Sequence, residues 1–322
     1  MSRPPGHPIS LLEFEADVRT GLTKPGQKEL YSKYLYDDLG TALFEAITLL
    51  PEYGLTRADL GLLRKHAAEL PECAQDLSVV VELGSGSGEK AHYVLPRLIR
   101  DRELTYCPID LSAAALARCQ RDLDDIRNLK VVPIEDSYID GLVSASKLRN
   151  PGTSMLVLFL GSSIGNFDWP VAETFLRDVR GILKSGDVLL LSADLVKSLD
   201  RMLAAYDDAL GVTAAFNLNL LARINRELAA NFRLDQFQHE VRYNESEQRI
   251  EMHLRSKSVQ TVSINGNFTF TLEQNETIWT ESSYKFRAEQ VRSMSERAGF
   301  TCEVQWADTD WPFAQSLLRA GY

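Results

Sequence analysis

From Ser10 onward the apolar positions recur every three to four residues. Leu11, Leu12, Phe14 and Val18 make one helical stripe, and Ala42, Leu43, Phe44, Ile47 and Leu50 make another. A third helix is predicted over 56–70, with Thr56 as its N-cap and Pro71 beyond its end. The period then changes. Residues 78–83 (SVVVEL) form a β-branched run that ends in glycines, the pattern of a parallel strand buried on both faces. The segments 104–109, 128–134, 154–161 and 187–193 repeat that pattern with helical stretches between them. The alternation predicts an α/β fold with a doubly wound parallel sheet whose ligand lies at the carboxyl ends of the strands.

After Asp194 the rhythm breaks. Residues 197–228 carry a helical pattern, whereas 238–254 and 259–280 alternate as antiparallel strands, the latter around an Asn265-Gly266 hairpin turn. A helix over 287–298, closed by Gly299, and strands over 301–306 and 313–318 then resemble the end of the parallel sheet. The middle block therefore reads as an insertion. The expected division is a nucleotide-type domain from 61–196 and 287–322, and a second α+β domain from 8–60 and 197–286.

Composition narrows the partners. The 322 residues are too many for one small sheet domain, and 44% apolar with 25% charged residues is ordinary for a globular protein. The formal charge of −10, with no basic cluster, disfavours nucleic acid and anionic lipid. Four cysteines without CxxC spacing read as free thiols rather than a disulfide framework or metal site, and His92, His239 and His253 lack metal-ligand spacing. The N-terminal MSRPPGHPIS has no apolar core of a signal peptide, so a cytoplasmic monomer is expected and the sequons at Asn244, Asn267 and Asn275 are discounted.

The candidate chemistry begins at Glu82-Leu-Gly84-Ser-Gly86-Ser-Gly88-Glu-Lys90. Glycines at 84, 86 and 88 let backbone approach a ligand at a strand-to-helix turn. A dinucleotide fingerprint would need glycine where Glu89 stands, which counts against a nicotinamide oxidoreductase. The spacing ExGxGxG resembles the first motif of the class I S-adenosylmethionine (SAM) methyltransferases, in which the acid matching Glu82 lies under the loop near the methionine part of the cofactor. Asp110, at the end of the next predicted strand, can accept from both hydroxyls of a ribose, and Asp136-Ser137 follows the third strand, where such enzymes hold adenine. After the fourth strand comes FLGSSIGNF, 159–167, with Gly161 and with Asn166, whose amide can donate and accept at once.

At this point the chain resembles the ergothioneine-pathway histidine Nα-methyltransferases. The resemblance covers nearly all of it: LYDDLGTALFEAIT with LPEY and TRAD, FLGSSIGN, the long stretch beginning ADLVKSLDRMLAAYDDALG, RIEMHLRS and TESSYKFR. It implies a SAM domain with a second domain built from the N-terminus and an insertion, and conversion of L-histidine to hercynine with release of S-adenosylhomocysteine and no metal. Carried over by position, it implies that Asn166 and Tyr206 hold the substrate carboxylate, Tyr53 and Asn166 lie near the amine, and Glu281 and Ser283 bind the two imidazole nitrogens. Met252 would line the imidazole pocket, Tyr36 would sit beside the growing ammonium, and Gly84, Lys90, Asp110, Asp136 and Ser137 would contact SAM. The chain departs from the family's EYYPT at Gly54 and Leu55, and its PIEDSY lacks the usual GDF.

Plainer roles compete with several of these. Tyr206 in AYDD suits a core tyrosine, Met252 alternates with Ile250 and Leu254 as a packed strand residue would, and Glu281 suits a solvated edge. The rival activities are methylation of another amino acid or amine, such as tryptophan or a dimethylallyl-tryptophan derivative, and a non-catalytic module that keeps SAM as a structural ligand. An indole offers one N–H and no lone pair, so it would leave a serine unsatisfied beside the glutamate.

Overall fold

The computed structural model describes residues 10–74, 76–99 and 102–321; the predicted starting point of the second domain, residue 8, lies outside them. By contacts the described residues divide into two compact units: Leu55–Val196 with 285–321, and 10–54 with Lys197–Tyr284.

The first unit is built on one sheet. Its strand order is Phe300–Asp308, Phe313–Ala320, Val188–Asp194, Ser154–Phe159, Leu77–Leu83, Leu104–Asp110 and Leu129–Val131. The central strand Leu77–Leu83 is buried along its whole length, because helices cover both faces of a parallel sheet. Val79, Val80 and Val81 are each 0% exposed, and such burial is worth roughly 1.5–3 kcal/mol per side chain. The sheet is not wholly parallel as the strand pattern predicts. Phe313–Ala320 runs antiparallel to both of its neighbours, since the short link after Asp308 can return the chain only as a hairpin. The predicted strand over 128–134 is also split, into Leu129–Val131 and Ile134–Glu135. Pro133, which has no N–H to give the ladder, stands in the gap.

The second unit holds a four-stranded sheet ordered Lys28–Glu29, Thr277–Tyr284, Arg249–Ser256, Phe237–Asn244, and a separate hairpin of Gln260–Ile264 with Phe268–Leu272. The hairpin turns at Asn265 and Gly266, both at positive φ, as an Asn-Gly turn requires. The continuous helical pattern over 197–228 resolves into two helices, Leu199–Ala204 and Val212–Glu227. Between them Gly211 adopts φ +74°, and Asp208 accepts from the backbone of Val212 and Thr213 at 2.9 and 2.8 Å, capping the longer helix.

The helix predicted from Thr56 begins instead at Gly54 and ends at His66, with Leu70–Cys73 a separate short turn. Thr56 is therefore an interior residue rather than a cap.

Candidate functional site

In the first unit, the turn after Leu83 places three glycines at positive φ: Gly84 at +72°, Gly86 at +52° and Gly88 at +77°. A Cβ on Gly88 would lie 2.4 Å from Cys119 Sγ and one on Gly84 would lie 3.0 Å from Tyr138 Oη, while one on Gly86 would meet nothing within 4 Å. The turn is thus packed against protein at its two ends and open at its middle. Asp110 fixes that middle: one carboxylate oxygen accepts from Gly86 N at 2.9 Å and the other from Ser112 N at 3.0 Å. The carboxylate's remaining acceptor capacity can serve a ligand hydroxyl. Burial pushes the Asp110 carboxyl above its usual value, against these backbone donors.

Glu82 lies beneath the turn at 2% exposure and accepts a hydrogen bond from the Tyr106 hydroxyl. Burial raises its pKa to about 7, while the Tyr106 hydrogen bond and the Lys90 charge pull the other way. Ser137 caps the helix Tyr138–Ser146: its hydroxyl accepts from Asp140 N at 3.1 Å and donates to the Asp140 carboxylate at 2.8 Å, and its own N–H is held by Asp136 at 2.8 Å. The Ser137 hydroxyl keeps one acceptor lone pair beyond the cap, and Asp136 beside it is half-buried. Gly161 turns at φ +76° at the carboxyl end of Ser154–Phe159, and the one-turn helix Ser163–Asn166 follows it, with Asn166 half-buried.

In the second unit, Glu281 and Ser283 lie two apart on Thr277–Tyr284 and therefore share a face. A bulge at Thr280 sets which face. Trp279 pairs with His253 and Glu281 with Met252, so Trp279 and Glu281 point to opposite sides of the sheet. Glu281 is 9% exposed and Ser283 6%, too enclosed for a solvated edge charge. Met252 stands directly across from Glu281 at 1% exposure. The Tyr206 hydroxyl donates to Ser283 Oγ at 2.7 Å, and the Tyr206 ring meets Tyr53 edge-on at 6.1 Å between centroids. Tyr53 continues to Phe44 at 6.2 Å, and Phe44 to Tyr36 at 5.5 Å. Phe216 closes the group, 5.5 Å from Tyr36 and 6.1 Å from Phe44. His239 steadies Tyr206 from behind. Its Nε2 donates to the Tyr206 carbonyl at 2.8 Å and its Nδ1 accepts from Asn217 at 2.9 Å, which requires the neutral ring; burial holds its pKa below the usual histidine value.

Two kinds of residue are absent from the sequence-based site. Phe44 and Phe216 read there only as helical core, although they brace Tyr36. Asp59 was visible only as part of TRAD. Its signal was positional: Leu55, Ala58, Leu62 and Leu63 form the buried stripe of the helix Gly54–His66, and Asp59 puts a carboxylate in that stripe.

The strand order, the single reversed strand beside the last, the glycine turn after the first strand and the acid after the second together define a class I SAM-dependent methyltransferase. The family model for histidine-specific, SAM-dependent methyltransferases matches residues 14–320, and the chain belongs to this family. It is 39% identical over 305 residues to the histidine N-alpha-methyltransferase of Mycolicibacterium smegmatis, spanning 94% of this chain and 93% of that one. Identity to the histidine N-alpha-methyltransferase of Mycobacterium tuberculosis is 38% over 316 residues, spanning 97% and 96%. The L-tryptophan methyltransferase of Psilocybe serbica is more distant, 26% identical over 334 residues, spanning 95% and 93%.

Proposed function

We propose that the protein is a histidine Nα-methyltransferase that carries L-histidine through three methyl transfers to hercynine, in ergothioneine biosynthesis. The observation that carries this reading is the pairing of Glu281 with Ser283 on one enclosed strand face opposite Met252. A carboxylate accepts from an imidazole N–H, and a hydroxyl donates to the ring's lone pair. The Tyr206 hydroxyl donates to Ser283 Oγ at 2.7 Å, which holds the serine in place beside the glutamate. Groups enclosed in this way discriminate strongly against a side chain that leaves them unpaired.

SAM, when bound, supplies an electrophilic methyl on a sulfonium. Gly84, Gly86, Gly88, Lys90, Asp110, Asp136 and Gly161 are the groups that would hold it, with Glu82 beneath. The backbone of the glycine turn admits the ligand closely, Asp110 takes ribose hydroxyls, and Lys90 supplies a positive charge for its carboxylate. Tyr53 would lie near the amino acid's amine, and Asn166 is the first unit's candidate for its carboxylate. Bound SAM would give up its methyl and leave as S-adenosylhomocysteine, and the α-amine would have to be neutral before each transfer. The rings of Tyr36 and Tyr53 present π faces that favour the cationic products by about 0.5–2 kcal/mol per contact. The protein acts as a monomer.

The test is incubation with SAM and each of the twenty amino acids, followed by mass spectrometry. Three successive methylene increments on histidine are expected, and their absence, or their appearance on tryptophan instead, overturns the reading.

A further inference from the structure

Asp59 is wholly buried at 0% exposure, and no ligand can reach it. Its four acceptor positions are nonetheless filled in a way that joins the sheet to the cofactor loops. One oxygen accepts from Ser192 Oγ at 2.6 Å and Gln315 Nε2 at 2.7 Å. Those two residues are direct cross-strand partners and are themselves 0% exposed. The other oxygen accepts from Gly161 N at 2.8 Å and pairs with Lys90 Nζ at 3.1 Å. Lys90 is the partly open member of the set, its side chain 22% exposed, and a Cβ on Gly161 would come within 2.8 Å of its ammonium.

We propose that Asp59 is a positioning residue for the cofactor site: anchored to the sheet through one oxygen, it sets the Gly161 turn and the direction of the Lys90 ammonium through the other, and thereby SAM affinity. A buried carboxylate is tolerated only where donors satisfy it, so the anchor and the loops are held in one geometry. The lysine's charge is strongly hydrated and its stem flexible, and without a fixed counter-charge it would spread over several rotamers. A purely structural role, joining the helix Gly54–His66 to the sheet, would instead move stability alone. The inference rests on the SAM role of the glycine turn.

Isothermal titration of S-adenosylhomocysteine into the full chain separates these cases, using Asp59→Asn, Ser192→Ala, Lys90→Met and the Asp59→Asn/Lys90→Met pair. Asp59→Asn removes the charge with little change of shape. Asp59→Asn is expected to weaken binding about tenfold, and by no more than about threefold when Lys90 is already Met. Ser192→Ala, a change sealed from any ligand, is expected to weaken binding in the same direction, and it carries the test if Asp59→Asn does not fold. Affinity within about twofold of wild type in the folded variants, or the same loss in both Lys90 backgrounds, overturns the proposal. Failure of the wild type to bind S-adenosylhomocysteine would instead strike the cofactor reading.

Discussion

The two units build their sites from different materials. In the first, the candidate ligand contact depends largely on backbone: three glycines at positive φ, a carboxylate holding two N–H groups, and a turn at Gly161. In the second it depends on side chains carried by separate segments, with Tyr36 and Tyr53 from the N-terminal part, and Tyr206, Met252, Glu281 and Ser283 from the insertion. A backbone cradle can be written in nine consecutive residues. A pocket that reads one side chain needs polar and aromatic groups that only folding assembles.

Substitutions should therefore separate the two functions, and the largest effect is expected at Glu281. Glu281→Ala leaves an imidazole N–H in an enclosed site without its acceptor, and should lower kcat/KM for histidine about a thousandfold. S-adenosylhomocysteine affinity should stay within about twofold. Comparable losses of both would break the separation.

The converse change is Gly88→Ala. At φ +77° an L residue is strained, by about 1–2 kcal/mol, and the added methyl would also meet Cys119 Sγ at 2.4 Å. Loss of cofactor affinity of about a hundredfold is expected, against about tenfold for Gly86→Ala, where only the φ cost applies. Adding Cys119→Ala should recover part of the Gly88→Ala loss and none of the Gly86→Ala loss. Equal effects at the two glycines would show that packing under the turn does not matter.

The same contrast explains what the sequence made legible. The cradle and the order of strands follow from local signals: β-branched runs, glycines at fixed spacing, an acid at a strand end. The antiparallel run of Phe313–Ala320 was not legible, since an apolar strand reads alike in either direction and the short preceding link was the only clue. The break at Pro133 and the interior place of Thr56 were missed for a related reason, because the apolar pattern runs on through both. In the second unit, Glu281 and Ser283 were nominated only through resemblance. Periodicity gives them a common face, but the bulge at Thr280 that turns Glu281 opposite Met252 leaves no mark in the pattern of polar and apolar residues. Asp59, by contrast, was legible in principle, as a charge in the apolar stripe of an amphipathic helix.

Glu82 gives the cradle a pH signature of its own. In the unfolded chain its carboxyl ionises near 4.5, while in the folded protein burial keeps it protonated up to about 7. Between those values the folded state binds more protons than the unfolded state, so stability falls as pH rises. The contribution is complete below 4.5 and is lost as pH passes about 7, by an amount on the order of 3 kcal/mol. Glu82→Gln should therefore gain stability relative to wild type between pH 5 and pH 8 in denaturant titrations. Parallel pH profiles for the two proteins would remove Glu82 as their source.

The smallest effect is expected from Tyr206→Phe, and it sharpens the picture of the second unit most. The substitution keeps the ring, and with it the edge contact to Tyr53, but deletes the hydroxyl that donates to Ser283 Oγ at 2.7 Å. Ser283 then loses that donor, and a neutral hydrogen bond of this kind is worth about 0.5–1.5 kcal/mol. Histidine KM should rise roughly threefold to tenfold at nearly constant S-adenosylhomocysteine affinity. If Tyr206 acts through the serine, the rise should shrink to near unity once Ser283 is Ala. If it instead holds the substrate carboxylate directly, as the family resemblance implies, the rise should persist undiminished in that background. The double-variant comparison thus decides whether Tyr206 orients the imidazole reader or grips the amino acid itself.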